Sequence, residues 1–214
     1  MQLNRYIDHT FLKPEGTLND IEKLMDEAVQ YDFYSVCIHP IWVKKAHERL
    51  KNAKSQVATV IGFPLGANTM KVKIDEAVNA LEDGVDELDM VMNIGKFKMG
   101  DDKYVIEEID AIKKEAGERI LKVIVETCLL ADDEKRRAAE LIKNSNADFI
   151  KTSTGFSSGG ADIEDIRLFK SIIGDDKYIK ASGGIRTRKR AMEMIEAGAM
   201  RIGASSSVNI MENE

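Results

Sequence analysis

The sequence predicts a single-domain α/β protein folded as a (β/α)8 TIM barrel across residues 1–214. Three observations carry that expectation. Short runs rich in apolar and β-branched residues recur eight times, segments with helical spacing lie between them, and no linker or proline-rich hinge divides the chain. Eight strands alternating with helices in a chain of this length suit the small end of the barrel range, about 200 to over 400 residues. A flavodoxin-like open sheet is the competing arrangement, because the first strand is very short.

The strand runs are Tyr6–Thr10, Ser35–Ile38, Val57–Ile61, Glu87–Met92, Leu121–Val125, Phe149–Ser153, Tyr178–Ala181 and Arg201–Gly203. Between the first two, Thr17–Gln30 reads as a helix: Leu18, Ile21, Leu24, Met25 and Ala28 share a face, and Thr17 with Asp20 forms a capping pair. Before the fifth, Lys103–Ala116 carries the stripe Val105, Ile106, Ile109 and Ile112. Asp132 and Thr187 are N-cap candidates for helices running to Asn144 and Ala197, with Gly198 as a stop. Similar steps return the chain from helix to strand, as in Asp83-Gly84-Val85-Asp86, Asn146-Ala147-Asp148 and Ala197-Gly198-Ala199.

Composition narrows the partners. Hydrophobic residues make up 43% and charged residues 32%, the balance of a soluble globular chain. A net charge of −6 argues against a nucleic acid or an anionic membrane as partner, so an anionic ligand needs a local site. Cys37 and Cys128 supply no disulfide framework and suit a reducing cytoplasm, as buried core thiols. The first residues, Met1 to Tyr6, lack the apolar core of a signal peptide, and no apolar run is long enough to span a bilayer.

Alternation along the strands places charge where a barrel normally keeps aliphatic side chains. Lys122, Ile124 and Glu126 share one face, as do Glu87, Asp89 and Val91, Phe149 and Lys151, and Tyr178 and Lys180. The complementary faces, Leu121, Val123, Val125 and Leu88, Met90, Met92, are wholly apolar and belong against the helices. Asp89, Lys122, Lys151 and Lys180 therefore point inward, with Glu87 and Glu126 as further candidates. Buried charges need partners or a wet pocket, so either a structural ion-pair core or a reactive site follows. With Lys151 and Lys180 on adjacent strands, repulsion lowers the pKa of one of them. A partly neutral lysine attacks carbonyls and forms a Schiff base, and a second lysine with a carboxylate relays protons. Class I aldol chemistry, transaldolase-type transfer and Schiff-base dehydration all fit that set.

Glycine-rich loops follow the seventh and eighth strands: Ser182-Gly183-Gly184-Ile185-Arg186-Thr187 and Gly203-Ala204-Ser205-Ser206-Ser207. In a barrel those two loops commonly bind phosphate, through backbone N–H groups at helix starts. Thr154 to Ala161, directly after Lys151, is a third such loop, and Gly62-Phe63-Pro64-Leu65-Gly66 shapes the rim. His9, His39, His47 and the two cysteines lack metal-ligand spacing, and no nucleophile-elbow serine, dinucleotide fingerprint or P-loop is present. A non-catalytic sugar-phosphate sensor could use the glycine loops, but it would not require the two lysines and Asp89 together.

These residues bring the chain to a known family. Along nearly its whole length it resembles the 2-deoxyribose-5-phosphate aldolases, through "YIDHTFLKPEGT" (6–17), "VCIHP" (36–40), "VIGFPLGA" (60–67), "DELDMVMNIG" (86–95), "LKVIVETCLL" (121–130), "FIKTSTGFSSGGA" (149–161), "IKASGGIRT" (179–187) and "IGASS" (202–206). The resemblance implies a (β/α)8 class I aldolase with no cofactor or metal. Its substrates would be 2-deoxy-D-ribose 5-phosphate in one direction, and D-glyceraldehyde 3-phosphate with acetaldehyde in the other. It assigns Lys151 as the Schiff-base lysine, Lys180 as its electrostatic and proton-relay partner, and Asp89 as the acid/base carboxylate. Lys122 is a supporting charge within the substrate site. Gly155, Gly183, Gly184, Arg186, Gly203, Ser205 and Ser206 fall on phosphate-binding loops, and Asp8, Thr10 and Thr154 on contacts to substrate hydroxyls. A homodimer is implied as well. Two departures stand out. Some members carry a lysine after "KTSTG", where this chain has Phe156, so the phosphate end is less positive. Some end in a tyrosine that assists proton transfer, whereas this sequence closes on Met211-Glu212-Asn213-Glu214, which leaves that help to water or absent.

Overall fold

Eight parallel strands form the centre of the computed structural model, which describes residues 2–213; Met1 and Glu214 lie outside the described residues. The strands are β1 (Ile7–Thr10), β2 (Ser35–Ile38), β3 (Gln56–Ile61), β4 (Glu87–Val91), β5 (Ile120–Ile124), β6 (Phe149–Lys151), β7 (Tyr178–Ser182) and β8 (Arg201–Ala204). Each pairs with the next, and β8 pairs with β1 through Ile7 opposite Ile202 and Asp8 opposite Gly203. That closure makes a (β/α)8 barrel and rules out the open sheet. β6 is shorter than the run Phe149–Ser153 and ends at Lys151; beyond it the Thr152 hydroxyl donates to the Ser182 carbonyl.

Helices α1 (Leu18–Gln30), α2 (Val43–Leu50), α3 (Met70–Glu82), α4 (Ile94–Lys98), α5 (Asp102–Ala116), α6 (Asp132–Asn144), α7 (Ile163–Ile173), α8 (Arg188–Glu196) and α9 (Ser207–Glu212) clothe the barrel. In α1 the stripe Ile21, Leu24, Met25 and Ala28 is buried, while Leu18 in the first turn is exposed. The Asp20 carboxylate accepts both the Thr17 N–H at 2.8 Å and the Thr17 hydroxyl at 2.6 Å. In α5, Val105, Ile109 and Ile112 are buried and Ile106 only half so. Asp132 is not the cap of α6: Ala131 occupies that position, and its N–H donates to Glu134 at 2.9 Å. Thr187 does cap α8, accepting from the Arg190 N–H at 3.2 Å. Among the described residues no helix is long and apolar enough to cross a membrane.

The apolar strand faces pack outward against the helices, as alternation requires: Leu88, Met90, Met92, Leu121, Val123 and Val125 are all fully buried in the main core. Inside the barrel the two halves differ. Leu12, Cys37, Ala58 and Val60 fill the side built by β2 and β3 with a small apolar cluster, and ionisable side chains fill the other side. Cys128, by contrast with Cys37, is exposed.

One buried ion pair outside the barrel steadies the strand that carries Asp89. Lys73 of α3 donates to Glu108 of α5 and to the Val91 carbonyl at the end of β4, both at 2.8 Å. Glu108 also accepts the Asn93 N–H at 3.2 Å. Burial pushes the Lys73 amine down and the Glu108 carboxyl up from their ordinary values. Truncating one partner strands the other away from water, so Glu108→Ala should lower the unfolding free energy by about 3–5 kcal/mol. Urea denaturation monitored by circular dichroism measures this, and a change under about 1 kcal/mol would show that the pair contributes little.

Candidate active site

Strand register assembles the charged groups. Lys122 sits opposite Asp89, and Lys151, Lys180 and Arg201 lie side by side on β6, β7 and β8. Asp89 is the shared acceptor: its Oδ1 takes the Lys122 ammonium at 2.8 Å, and its Oδ2 takes Lys151 and Lys180 at 2.7 Å each. A second tier lies beneath. Asp8 accepts Ser35 Oγ and Arg201 Nη1, both at 2.7 Å, and pairs with Lys180. Glu87 accepts two Arg201 bonds at 3.0 and 3.2 Å and pairs with Lys122. The Arg201 guanidinium lies 3.4 Å from the centre of the Tyr34 ring, which covers it from below. All seven ionisable groups are buried.

Their protonation follows from this packing. Burial pushes the Lys151 amine below the ordinary lysine value; Asp89 opposes that shift and Lys180 reinforces it. Repulsion from Lys180 thus assists, but withdrawal from water is the larger cause. Burial also penalises the Lys180 ammonium, yet Asp8 and Asp89 outweigh it and raise that group above its ordinary value. For Asp89, burial is overcome by Lys122, Lys151 and Lys180, which hold its carboxyl well below the usual range. Asp8 is likewise held low, with Arg201 and Lys180 overcoming burial. The Cys37 thiol, facing the same interior, is pushed up by burial.

Above this cluster opens a cavity of about 360 Å³, lined by Lys151, Thr10, Thr154, Gly155, Gly183, Gly184, Arg186, Gly203 and Ser205. Ser206 instead lines a neighbouring cavity between α1 and α9. Asp8 and Lys122 are fully buried below the floor with their charges engaged, so they face other side chains and not the cavity. Asp89 and Lys180 share that lower layer and reach the cavity through Lys151. A wider depression of about 460 Å³ between α1 and α2, walled by Glu22, Asp26, Lys45 and Arg49, lies on the outer surface away from this cluster.

Glycine makes the cavity wall possible at two close approaches. A Cβ on Gly203 would stand 3.1 Å from Lys180 Cε and 3.0 Å from Ser182 Cβ, so its absence leaves room for the lysine stem. A Cβ on Gly160 would meet the Gly183 carbonyl oxygen at 2.3 Å, so the loops after β6 and β7 touch backbone to backbone. The rim is aromatic. Phe156, 50% exposed, meets Phe63 edge-on at 5.3 Å, which places the Gly62–Gly66 turn at the mouth.

Two side chains depart from the sequence expectation. Glu126 does not join the interior charges, because β5 ends at Ile124 and Glu126 takes a left-handed backbone with φ 54°. Its carboxylate instead accepts the Thr154 N–H at 3.2 Å and the Thr154 hydroxyl, fixing the loop after Lys151. Arg201, absent from the expected inward set, supplies the fourth cation. Its signal was alternation with Gly203, a residue whose missing side chain hides which way the strand faces.

A lysine withdrawn from water, aimed into a glycine-walled cavity at the C-terminal mouth of a (β/α)8 barrel, defines a barrel enzyme equipped for carbonyl chemistry. Comparison with known proteins gives the family. The profile of the DeoC/LacD family aldolases matches residues 3–213. The deoxyribose-phosphate aldolase of Streptococcus gordonii is 53% identical over 214 residues, covering 100% of this chain and 97% of the relative. That of Thermococcus gammatolerans is 56% identical over 217 residues, covering 99% and 96%. The tetrameric deoxyribose phosphate aldolase structure from Aeropyrum pernix superposes with a TM-score of 0.90 at 32% identity, covering 98% of this chain and 89% of that one. The chain belongs to the DeoC/LacD family of aldolases, and it is an aldolase.

The cluster makes stability acid-sensitive. Asp8 and Asp89 bind protons less readily folded than unfolded, so the stability they contribute is present above the unfolded carboxylate value, about pH 4, and is lost as pH falls below it. Glu108, raised by burial, works in the opposite sense and softens the decline. The urea midpoint should therefore drop steadily between about pH 5 and pH 3, and a flat midpoint across that range would contradict the assignment of two depressed carboxylates.

Proposed function

We propose that this aldolase reversibly cleaves 2-deoxy-D-ribose 5-phosphate to D-glyceraldehyde 3-phosphate and acetaldehyde through a Schiff base on Lys151, acting as one domain over residues 1–214. The observation that carries the reading is that Lys151, alone among the buried cations of the cluster, also lines the cavity. The names of the relatives supply the sugar phosphate.

The free Lys151 amine adds to the aldehyde carbon of the open-chain sugar, and loss of water leaves an iminium. The C3 hydroxyl gives up its proton and the C2–C3 bond breaks. Its electron pair passes into the iminium to form an enamine, and C3 leaves as the aldehyde of glyceraldehyde 3-phosphate. Protonation of the enamine at C2 and hydrolysis release acetaldehyde and restore the amine. Lys180 and Asp89, one layer below, are the electrostatic and proton-relay partners, working through water. Asp8 and Lys122 act through those two groups and not on the substrate. Thr10 and Thr154 serve the sugar hydroxyls. Gly155, Gly183, Gly184, Arg186, Gly203 and Ser205 cradle the phosphate, with Ser206 in a supporting place beside them. A cytoplasmic homodimer completes the reading; light scattering gives the assembly.

Borohydride reduction in the presence of acetaldehyde, followed by peptide mapping, should place the adduct on Lys151. An adduct on another residue, or none, would overturn the assignment. Lys151→Leu should reduce deoxyribose phosphate cleavage to background while retaining the circular dichroism of the parent. Lys180→Met should move the acidic limb of the kcat/KM profile to higher pH, because a charge that favours the free Lys151 amine is removed.

A further inference from the structure

We infer that Arg201 is a positioning residue that sets the protonation state of Lys151 by completing the charge count of the barrel interior. The inference rests on Lys151 being the reactive amine and concerns what holds it uncharged. Facing one another inside the barrel are Asp8 on β1, Cys37 on β2, Glu87 and Asp89 on β4, Lys122 on β5, Lys151 on β6, Lys180 on β7 and Arg201 on β8; β3 contributes Ala58 and Val60, which do not ionise. The three carboxylates are matched by Lys122, Lys180 and Arg201. The enclosed set is therefore neutral when Lys151 is a free amine, and carries a surplus positive charge when Lys151 is an ammonium. These groups are buried, so an uncompensated charge costs far more here than at the surface.

Arg201 does this without touching Lys151. It engages Asp8 at 2.7 Å and Glu87 at 3.0 and 3.2 Å, and stays charged over the whole working range of pH. With those two carboxylates satisfied from below, the interior holds no spare anion for Lys151. Without Arg201 the set carries a surplus anion, and protonating Lys151 becomes the way to cancel it.

The test reads amine reactivity and not turnover. Competitive labelling of the intact protein with a trace of acetic anhydride across a pH series, followed by peptide mapping, gives the pKa of Lys151 alone. In Arg201→Met the labelling midpoint of Lys151 should rise by about one unit, a tenfold loss of free amine at neutral pH. Arg201→Lys should keep the parent midpoint. Arg201→Met with Glu87→Gln removes one cation and one anion, and should return the midpoint toward the parent even though more hydrogen bonds are lost. A purely structural role predicts the reverse, with the double variant further from the parent than the single one, and that result would overturn the inference. If Arg201→Met does not fold, Glu87→Gln alone leaves a surplus cation and should shift the midpoint down; an unchanged or raised midpoint would overturn it equally. Failure of acetaldehyde trapping on Lys151 would sink the proposed reaction while leaving the labelling result intact, so the two are separable.

Discussion

Three lysine amino groups share the two oxygens of one carboxylate, Asp89, and the interior of the barrel is arranged around that sharing. A single buried carboxylate cannot neutralise even the two charged lysines, Lys122 and Lys180, so further anions have to stand within reach. Asp8 and Glu87 fill that need from the tier below, and Arg201 then joins those two to each other. Each group's partner is another member of the set. Removing any one leaves a neighbour charged and dry, which is why the cluster behaves as one unit and not as a list of ion pairs.

The requirement propagates outward into the fold. Three lysines with long stems need volume, and the barrel supplies it asymmetrically. Small residues, Cys37, Ala58 and Val60, occupy the β2–β3 side, and Gly203 withdraws its side chain where Lys180 passes. β4 bears two of the three carboxylates, and its end is held from outside by Lys73 and Glu108 across α3 and α5. The loop after Lys151 is held by Glu126 through Thr154. Asp89 and Lys151 thus both sit on strands whose C-terminal ends are held by contacts from outside the charged cluster.

Much of this was legible in the sequence because strand alternation is unambiguous when one face is wholly apolar. Leu88, Met90 and Met92 leave no other face for Asp89, and Leu121, Val123 and Val125 do the same for Lys122. Alternation fails where the strand stops. Glu126 continues the pattern of Lys122 and Ile124 on paper, but a left-handed backbone two residues past the end of β5 sends its side chain elsewhere. Arg201 is hidden for the opposite reason: its strand is short and its same-face neighbour Gly203 has no side chain to mark the face. The motif around Asp8 points it to substrate, whereas Ser35, Lys180 and Arg201 already occupy its carboxylate. Sequence spacing identifies which residues face a common interior. It does not rank their depth, and depth separates a group that meets substrate from one that supports it.

Depth also bears on the proposed chemistry. In the reaction proposed above, an interior balanced with Lys151 uncharged favours the free amine needed for attack, and that same balance makes the iminium an unwelcome cation once it forms. Discharging it is then favourable, and the electron pair of the breaking C2–C3 bond is what discharges it, giving a neutral enamine. Seen this way, one electrostatic condition serves two steps with opposite demands, deprotonation of the nucleophile and withdrawal of electrons from the substrate. It requires only that the surrounding charges be fixed before the substrate arrives. Closed strand pairing, paired carboxylates and an arginine that does not titrate provide that fixity in a protein whose overall charge is −6.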